Sequence, residues 1–286
     1  MSIDRIIVIG AGTMGRGIAQ AGVMAGCAVT LHDAVPDQLD RAELEITRQL
    51  TRAVDKGKLT TQEAVYASAR LEVVASFDDL PLADTSFVIE AVVEQVDVKK
   101  ELLGRLGERL SADAVLASNT STISITELAS ATPQPEQVIG MHFFNPVPVM
   151  TLVEVIEGQH TGANIIAVTE ALARQMGKTP LRVKDRPGFV SNRVLMPMIN
   201  EAIFCLHESV ADATTIDAIM KLGCNHPMGP LALADLIGLD VCLNILEVLH
   251  RDLADAKFRP CPLLRTMVDA GRLGRKSGRG FFAYDH

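Results

Sequence analysis

Short apolar runs alternate with amphipathic stretches along the chain from residue 3 to about residue 184. Apolar runs of about four to eight residues are typical of buried strands, whereas the amphipathic stretches repeat at helical spacing. Strands that alternate with helices build βαβ units around a mainly parallel sheet. The runs that we predict as strands are IDRIIVIG, CAVTLHD, RLEVVAS, TSFVIEAV, AVLASN, QVIGMHFF, TLVEVIE and TPLRVK.

The pattern changes at Asp185, Arg186 and Pro187, where the β-rich runs stop. Beyond this point apolar positions recur at helical spacing through VLMPMINEAIFCLHE, ATTIDAIMKLG and DLIGLDVCLNILEVLH. A chain of 286 residues is also longer than one hydrophobic core usually supports. We therefore predict two domains. Residues 1–186 form a Rossmann-like, doubly wound α/β domain with a mainly parallel sheet, and residues 187–286 form an all-helical domain.

The composition narrows the class of protein. A formal net charge of -8 disfavours a nucleic-acid or membrane-surface partner, because phosphate-rich surfaces attract basic proteins. The five cysteines include no CxxC pair, so we expect reduced, mostly buried thiols and no metal site. No apolar run approaches the length of a membrane span, and no signal-like segment opens the sequence. We expect a globular, cytoplasmic protein.

A glycine-rich loop, GAGTMG at residues 10–15, follows the first predicted strand and opens a predicted helix that ends near residue 25. In a βαβ unit, Gly10 permits the tight turn, Gly12 lets backbone N–H groups approach a pyrophosphate, and Gly15 allows close packing of helix on strand. The pyrophosphate would lie at the positive N-terminus of the helix. The loop therefore predicts a dinucleotide site.

Asp33 indicates which dinucleotide binds there. It ends the second predicted strand and follows Gly15 by about 20 residues, the spacing at which a carboxylate accepts the hydroxyls of the adenosine ribose. A carboxylate at this position repels a 2′-phosphate, which favours NAD over NADP, although His32 beside it leaves room for NADP.

The most distinctive sequence comes later, in SNTSTISITE and GMHFFNPVPVMTLVEVIE. Removing a hydride from a secondary alcohol requires a base for the hydroxyl proton, and histidine titrates nearest to neutrality. We predict His142 as this base, with the buried carboxylate of Glu154 fixing its tautomer and stabilising the imidazolium. The residues expected on consecutive strand ends, at the C-terminal edge where open α/β sheets bind ligands, are Asn119, Ser121, His142 and Glu154.

Ser121 is not needed for helix capping. Ser124 and Glu127 already supply an S-x-x-E capping box for the helix that follows. We therefore expect Ser121 to hydrogen-bond the substrate.

Five stretches resemble the soluble 3-hydroxyacyl-CoA dehydrogenases: SNTS, MHFFNPVPVMTLVEVIE, DRPGFVSNRVL, HPMGPLALADLIGLD and GRKSGRGFFAYD. The resemblance runs essentially from end to end, and the length is similar to that of the stand-alone 3-hydroxybutyryl-CoA type. It implies the NAD-dependent oxidation of an (S)-3-hydroxyacyl-CoA to the 3-ketoacyl-CoA, and the reverse reduction, on a short acyl chain. It also implies a homodimer formed through the helical domain, and the apolar run LALADLIGL is the surface that we expect it to use.

The resemblance assigns roles to individual residues. It makes His142 the acid/base and Glu154 its partner, with Ser121 and Asn192 as hydrogen-bond donors to the substrate's C3 oxygen and carbonyl. The charge pattern of VEQVDVKKELLGRL alone would place Glu94 and Lys99 on a solvated helix face. The residues implied for NAD are Gly10, Ala11, Gly12, Thr13, Met14, Gly15, Asp33, Glu94, Lys99 and Asn119.

A basic helix between residues 41 and 58 is expected to hold the CoA. Glu45 lies among its basic side chains, so an ordinary salt-bridged surface explains the pattern as well as CoA binding does. The resemblance implies a hydroxyl residue and a lysine at the CoA adenosine, for which Thr51 and Lys56 are the nearest matches and Lys58 offers a second register. The basic residues that recur at helical spacing on one stripe are Arg41, Arg48, Arg52 and Lys56.

Two other functions stay open at this point. A β-hydroxyacid dehydrogenase that acts on free acids has a similar two-domain plan but uses a catalytic lysine on the first helix past the domain junction. Residues 188–220 contain no lysine, which disfavours this alternative. A cofactor-binding relative without catalysis is the second alternative.

Replacing Lys56 with Ala removes a point charge that a CoA phosphate would contact. We expect KM for acetoacetyl-CoA to rise by about tenfold, because one charge-assisted contact is lost, while KM for NADH stays the same. Steady-state kinetics with each substrate varied in turn measures both constants, and Lys58→Ala tests the second register. An unchanged KM for the CoA substrate would remove Lys56 from the site.

Overall fold

The computed structural model describes residues 3–284 of the chain. The chain divides into two compact units, Met1–Asp185 and Arg186–His286, here called the first and second units. This division falls one residue before the predicted domain boundary.

The first unit holds an eight-stranded sheet within residues 3–284, in the order β3-β2-β1-β4-β5-β6-β7-β8. Neighbouring strands run parallel except for β6 and β7, which are antiparallel. All eight predicted strands are confirmed, and the mainly parallel, doubly wound sheet is the predicted fold class. The strands are β1 (Arg5–Ile9), β2 (Ala28–His32), β3 (Leu71–Val74), β4 (Phe87–Glu90), β5 (Val115–Ser118), β6 (Val138–Phe143), β7 (Leu152–Glu157) and β8 (Thr179–Lys184).

Helices lie in most of the connections between these strands, and the inner strands β4, β5 and β6 are buried along their whole length. Such continuous burial is typical of parallel strands with helices on both faces, and it explains why their sequences are apolar without alternation. The helices of the first unit are α1 (Thr13–Met24), α2 (Pro36–Asp55), α3 (Thr61–Ser68), α4 (Val96–Gly107), α5 (Ile125–Ala129) and α6 (Ala163–Gln175).

One helix end differs from the sequence prediction and one helix start agrees with it. Helix α2 stops at Asp55 instead of continuing to residue 58, because Gly57 takes a positive φ of 65°. Helix α5 begins after Ser124, whose side chain accepts from the N–H of Glu127 at 3.2 Å, which is one of the two hydrogen bonds of the predicted capping box. The Glu127 carboxylate pairs with Lys100 at 3.5 Å.

The second unit is helical, as predicted, and is built around its own hydrophobic core. Members of this core include Ile199, Ile203, Leu246 and Leu264, which are completely buried. None of the helices within residues 3–284 is long and apolar enough to span a bilayer. The helices of this unit are α7 (Ser191–His207), α8 (Ala213–Gly223), α9 (Pro230–Ile237), α10 (Leu239–Leu253) and α11 (Pro262–Asp269).

Two buried aspartates hold the second unit together. Asp217 on α8 accepts from the N–H groups of Leu231 and Ala232 and so caps the first turn of α9. Asp235 on α9 accepts from the backbone of the C-terminal segment at Phe281 and from the hydroxyl of Tyr284 at 2.9 Å. Burial, together with this hydrogen bond, raises the pKa of Tyr284 to about 12.

The apolar run LALADLIGL is not the exposed surface that the sequence suggested. Leu231, Ala234 and Leu239 are completely buried in the core of the second unit, whereas Leu236 is 47% exposed. The prediction was wrong because α9 packs against α7, α8 and α10 and uses most of its apolar residues for that purpose.

Candidate active site

The glycine loop sits between β1 and α1 at the edge of the sheet. Gly10 takes a φ of 104°, and a Cβ there would lie 2.5 Å from the carbonyl oxygen of Ala91. A Cβ at Gly15 would lie 1.7 Å from the carbonyl oxygen of Gly10. Both glycines are therefore demanded by the close approach of the backbone.

Gly12 has a different reason to be glycine. Its φ of -65° suits any residue, and a Cβ built on it would meet no protein atom within 4 Å. The first turn of α1, TMGR, carries no acidic side chain, so its N–H groups and helix dipole favour a phosphate. The open space beside Gly12 thus fits the pyrophosphate of a dinucleotide.

Asp33 borders a pocket of about 670 Å³ that begins at this loop. One carboxylate oxygen accepts from the N–H of Ala11 at 2.7 Å, and the other accepts from that of Val35 at 2.9 Å. The wall of the pocket includes Phe77, whose ring lies under the guanidinium of Arg105 at 4.1 Å. The carboxylate is held at the mouth of an apolar pocket large enough for an adenosine.

His142 and Glu154 lie directly opposite each other on β6 and β7. Nδ1 of the histidine lies 3.0 Å from Oε2 of the glutamate, and both side chains are at least 90% buried. Because the carboxylate accepts, Nδ1 carries the hydrogen and Nε2 is the nitrogen that can take a proton.

The sequence analysis placed Glu154 at the C-terminal end of its strand, and this prediction was wrong. It is the third residue of β7, and this strand runs antiparallel to β6. The beginning of β7 therefore meets the same sheet edge at which β6 ends. The expected pair forms by a reversal of chain direction that apolar periodicity does not report.

Asn119 and Ser121 follow β5 at the same edge. The side-chain oxygen of Asn119 accepts from the N–H of Phe143 at 2.9 Å, which ties the end of β5 to the end of β6 and leaves the amide Nδ2 as the donor group. Ser121 contacts one oxygen of Glu94 through its N–H at 2.9 Å and its hydroxyl at 3.2 Å.

Glu94 and Lys99 are not on a solvated helix face. Lys99 is 1% exposed and its Nζ lies 2.5 Å from Oε1 of Glu90, which is completely buried. Glu94 precedes α4, and its second oxygen lies 3.3 Å from the same ammonium. The charge pattern misled because the buried carboxylate of Glu90, at the end of strand β4, draws Lys99 inward.

Glu90 and Ser118 also lie at this sheet edge and were not predicted from the sequence. A glutamate that ends the wholly apolar strand FVIE is as anomalous as Glu154 in LVEVIE, and burial of an unpaired carboxylate is costly in both places. The same reasoning that selected Glu154 would have selected Glu90. Ser118 has no comparable signal, because an isolated serine after an apolar strand is common.

Comparison with known proteins decides the family. Residues 5–186 match 3-hydroxyacyl-CoA dehydrogenase, NAD binding domain, and residues 188–284 match 3-hydroxyacyl-CoA dehydrogenase, C-terminal domain. The chain belongs to the 3-hydroxyacyl-CoA dehydrogenase family. It is therefore an NAD-dependent oxidoreductase that acts on a CH–OH group, and the predicted family, reaction class and cofactor are confirmed.

Relatives of this dehydrogenase align along nearly their whole length. A probable 3-hydroxybutyryl-CoA dehydrogenase of Bacillus subtilis (strain 168) is 52% identical over 285 residues, covering 100% of this chain and 99% of the relative. A 3-hydroxybutyryl-CoA dehydrogenase of Bradyrhizobium diazoefficiens is 48% identical, covering 99% and 96%. The crystal structure of an (S)-3-hydroxybutyryl-CoA dehydrogenase from Ralstonia eutropha superposes with a TM-score of 0.95 at 48% identity and 100% coverage of both chains.

Three further residues predicted for the dehydrogenase lie on or next to helices α2 and α7. Asn192 is buried in the first turn of α7, in the second unit. Thr51 is exposed on α2 and its hydroxyl donates to the carbonyl of Thr47 at 3.0 Å. Lys56 is exposed just past the end of α2. Their roles stay predictions.

The cysteines have no role in this chemistry. Cys27, Cys242 and Cys261 are buried, and burial raises the pKa of the Cys242 thiol to about 12. All five are free, and the three that are buried match the expectation of mostly buried thiols. Within residues 3–284 no group of three His, Cys, Asp or Glu side chains is arranged to hold a metal ion.

Two glycine substitutions separate cofactor binding from folding. We expect Gly12→Ala to fold with a free energy of unfolding within about 1 kcal/mol of the wild type, since its Cβ meets no protein atom. Its Kd for NADH should rise by more than about tenfold, because the methyl group fills the pyrophosphate space.

Gly15→Ala is the matched comparison on the same loop. Its Cβ would overlap the carbonyl oxygen of Gly10, so we expect it to lose stability in thermal denaturation. NADH fluorescence titration measures Kd for the folded variant. Wild-type NADH affinity in Gly12→Ala would contradict the placement of the pyrophosphate.

Proposed function

We propose that this dehydrogenase oxidises (S)-3-hydroxybutyryl-CoA to acetoacetyl-CoA with NAD, and catalyses the reverse reduction. The observation that carries the proposal is the buried hydrogen bond between His142 and Glu154, at the sheet edge that also bears the glycine loop. The relatives named for this reaction match nearly the whole chain, which supports a short acyl chain.

Proton transfer is assigned to His142. NAD bound at the glycine loop supplies the acceptor for the hydride that leaves C3. His142 takes the proton of the C3 hydroxyl at Nε2 as the C3–H bond breaks, and Glu154 stabilises the imidazolium that forms. In the direction of reduction, the same nitrogen returns the proton to the C3 oxygen.

Hydrogen-bond donors hold the substrate oxygens in this proposal. Ser121 and Asn192 donate to the C3 oxygen and the thioester carbonyl, and thereby polarise the carbonyl that is reduced. For this bond the single hydroxyl hydrogen of Ser121 turns from Glu94 to the substrate. Asn119 holds the end of β5 against β6 and offers its Nδ2 to the cofactor. Glu94 and Lys99 are the remaining residues proposed near NAD.

Helix α2 is the proposed CoA helix. A smaller pocket of about 190 Å³ lies between α1, α2 and residues 145–149, and Gln49 on α2 lines it next to Arg16 on α1. Thr51 and Lys56 follow on the same helix and past its end. We assign residues 1–186 to the cofactor, with part of the substrate contacts at Ser121 and α2. We assign residues 187–286 to further substrate contacts and dimerisation, in a cytoplasmic enzyme.

A homodimer through the second unit is part of the proposal. The apolar side chains that its core leaves outside include Val210, Ile219 and Leu222, which are 70%, 58% and 88% exposed. Two of them lie on α8, three residues apart and therefore on one helix face. We place the subunit contact on this face rather than on LALADLIGL.

The acid/base role is tested with His142→Ala. We expect NADH to bind with unchanged Kd, while kcat for acetoacetyl-CoA reduction falls by about a hundredfold or more, since proton transfer by a positioned base contributes that much. Glu154→Gln should lower kcat less, because the imidazole keeps a hydrogen-bond partner but loses the charge that stabilises its protonated form. NADH consumption followed by absorbance measures each rate.

The results of this test also separate enzyme from binding protein. Wild-type protein that binds NADH but never oxidises it with acetoacetyl-CoA would contradict the proposed function. Substantial kcat in His142→Ala would contradict the assignment of the base while leaving the reaction intact.

The dimer is tested with Ile219→Asp and Leu222→Asp. We expect each to shift the protein towards monomer in sedimentation velocity, because a carboxylate buried at the contact has no partner there. Val65→Asp on α3 is the matched control, since Val65 is 60% exposed but lies in the first unit. A dimer that survives both α8 substitutions, or a monomeric wild type, would overturn the proposed contact.

A further inference from the structure

A lysine holds the connection between β6 and β7. Residues 144–151, here called the β6–β7 loop, join the two strands whose side chains form the proposed catalytic pair. The side chain of Lys178 reaches this loop, where its Nζ donates to the carbonyl of Val147 at 2.5 Å and to that of Met150 at 2.9 Å. The proposed reaction gives Lys178 no role.

The partners of the half-buried Lys178 ammonium are carbonyl oxygens and not carboxylates. Burial lowers the pKa of Lys178, and within residues 3–284 no carboxylate is placed to oppose that shift. A charge that is partly removed from water without an ion pair is costly. The two charge-assisted hydrogen bonds to the loop are the interactions that compensate this cost.

The backbone at Lys178 is fixed on both sides. The N–H of Lys178 donates to the carbonyl of Ala173 at 2.9 Å and closes the end of α6 after Gly177, which takes a φ of 71°. The next N–H, that of Thr179, donates to the carbonyl of Thr151 at 2.7 Å at the start of β8. The lysine side chain therefore extends from a point at which a helix and the sheet both hold the chain.

Val147 of the loop also packs against helix α1. Its side chain is 2% exposed, and a Cβ at Gly17 of α1 would lie 2.8 Å from the Cβ of Val147. The loop closes on itself as well, since the N–H groups of Val149 and Met150 donate to the carbonyl of Pro146 at 2.9 and 3.0 Å. Contact with α1 and the hydrogen bond from the lysine thus fix the same residue of the loop.

The β6–β7 loop helps to shape the pocket beside the proposed CoA helix. Residues 145–149 line the pocket of about 190 Å³, and α2 lines it with Ile46 and Gln49. Because Pro146 and Pro148 have no N–H to donate, the loop depends on contacts from other elements to keep its shape. The position of this wall of the pocket therefore depends on the lysine.

We propose that Lys178 is a positioning residue that holds the β6–β7 loop as one wall of the CoA pocket beside α2. The proposal rests on the proposed function, in particular on the placement of CoA at α2. Lys178 acts through the carbonyls of Val147 and Met150. Loss of its ammonium group loosens the wall and weakens binding of the CoA part of the substrate. His142 keeps its partner, because the pairing of β6 with β7 holds the two strands together.

The test compares Lys178→Met with the wild type on two substrates. Met keeps most of the length of the side chain but removes its charge and its donors. The substrates are acetoacetyl-CoA and S-acetoacetyl-N-acetylcysteamine, which has the same reacting group but ends shortly after the thioester. We expect KM for acetoacetyl-CoA to rise on the order of tenfold with kcat within about twofold, because only binding remote from the reacting carbon is lost. For the short thioester, kcat/KM should stay within about twofold of the wild type.

Two further variants serve as controls. Lys178→Arg keeps the charge and has donors for both carbonyls, so we expect it to restore most of the affinity for acetoacetyl-CoA. Lys184→Met removes a lysine of β8 that pairs with Glu157 and is 71% exposed, and we expect it to leave both constants unchanged. If Lys178→Met does not fold, Lys178→Gln carries the test with a smaller rise in KM, because its amide keeps a neutral donor.

A second readout does not depend on activity. Amide hydrogen exchange of a peptide spanning residues 144–151 reports the N–H groups of Val149 and Met150, which bond within the loop. We expect exchange there to speed up by about tenfold or more in Lys178→Met, because the loop opens more often without its anchor. Exchange in β5, and exchange of the loop in Lys184→Met, should be that of the wild type.

Each of three results would overturn the proposal. The first is unchanged exchange of the loop in Lys178→Met, and the second is an unchanged KM for acetoacetyl-CoA despite faster exchange. The third is an equal loss of kcat/KM for both thioesters, which indicates a general structural defect rather than a displaced wall of the CoA pocket. A wild type that reduces neither thioester refutes the proposed function instead, whereas the exchange result still decides whether Lys178 holds the loop.

Discussion

The register between β6 and β7 is the constraint on which the chemistry depends. Antiparallel pairing sets His142 directly opposite Glu154 on one face of the sheet, close enough for a hydrogen bond of 3.0 Å. A shift of one residue would move one partner to the other face, because side chains alternate along a strand. Pairing with β5 and β8 on the outer sides of the two strands secures this register. The strand pairing across the sheet thus fixes the hydrogen bond to Glu154, and this hydrogen bond sets the tautomer of His142.

Buried charge accumulates at this one edge. Parallel strands bring the ends of β1, β4, β5 and β6 together, and the reversed β7 adds its beginning. Each ionisable group buried there has a partner: Glu154 has His142, and Glu90 has Lys99. An unpaired member would cost several kcal/mol, so these groups assemble together with the fold rather than after it. The pairing of Glu154 with His142 also defines which nitrogen takes a proton.

The stretches that carry the family resemblance are of two physical kinds. SNTS and MHFFNPVPVMTLVEVIE supply groups at the sheet edge, including Asn119 and His142. HPMGPLALADLIGLD and GRKSGRGFFAYD instead build the second unit around Asp217 and Asp235, which satisfy backbone N–H groups that would otherwise be buried alone. A Cβ at Gly280 would lie 1.9 Å from the Asp235 carboxylate, so this glycine serves packing. These four motifs therefore mark chemistry in the first unit and carboxylate-anchored packing in the second, while DRPGFVSNRVL carries Asn192.

Local sequence determined the features that depend on neighbours along the chain. The spacing of apolar residues predicted the fold class, and the glycines from Gly10 onwards predicted the cofactor loop. The cost of burying an unpaired glutamate in LVEVIE predicted the catalytic pair. Tertiary structure decided the remaining features of the fold and the site, because these features depend on which strands and helices become neighbours. The direction of β7, the inward course of Lys99 towards Glu90, and the burial of LALADLIGL all follow from contacts between separate strands and helices. Charge and hydropathy patterns indicate whether a side chain favours burial or solvent. Packing decides which partner pairs with a polar side chain that is buried.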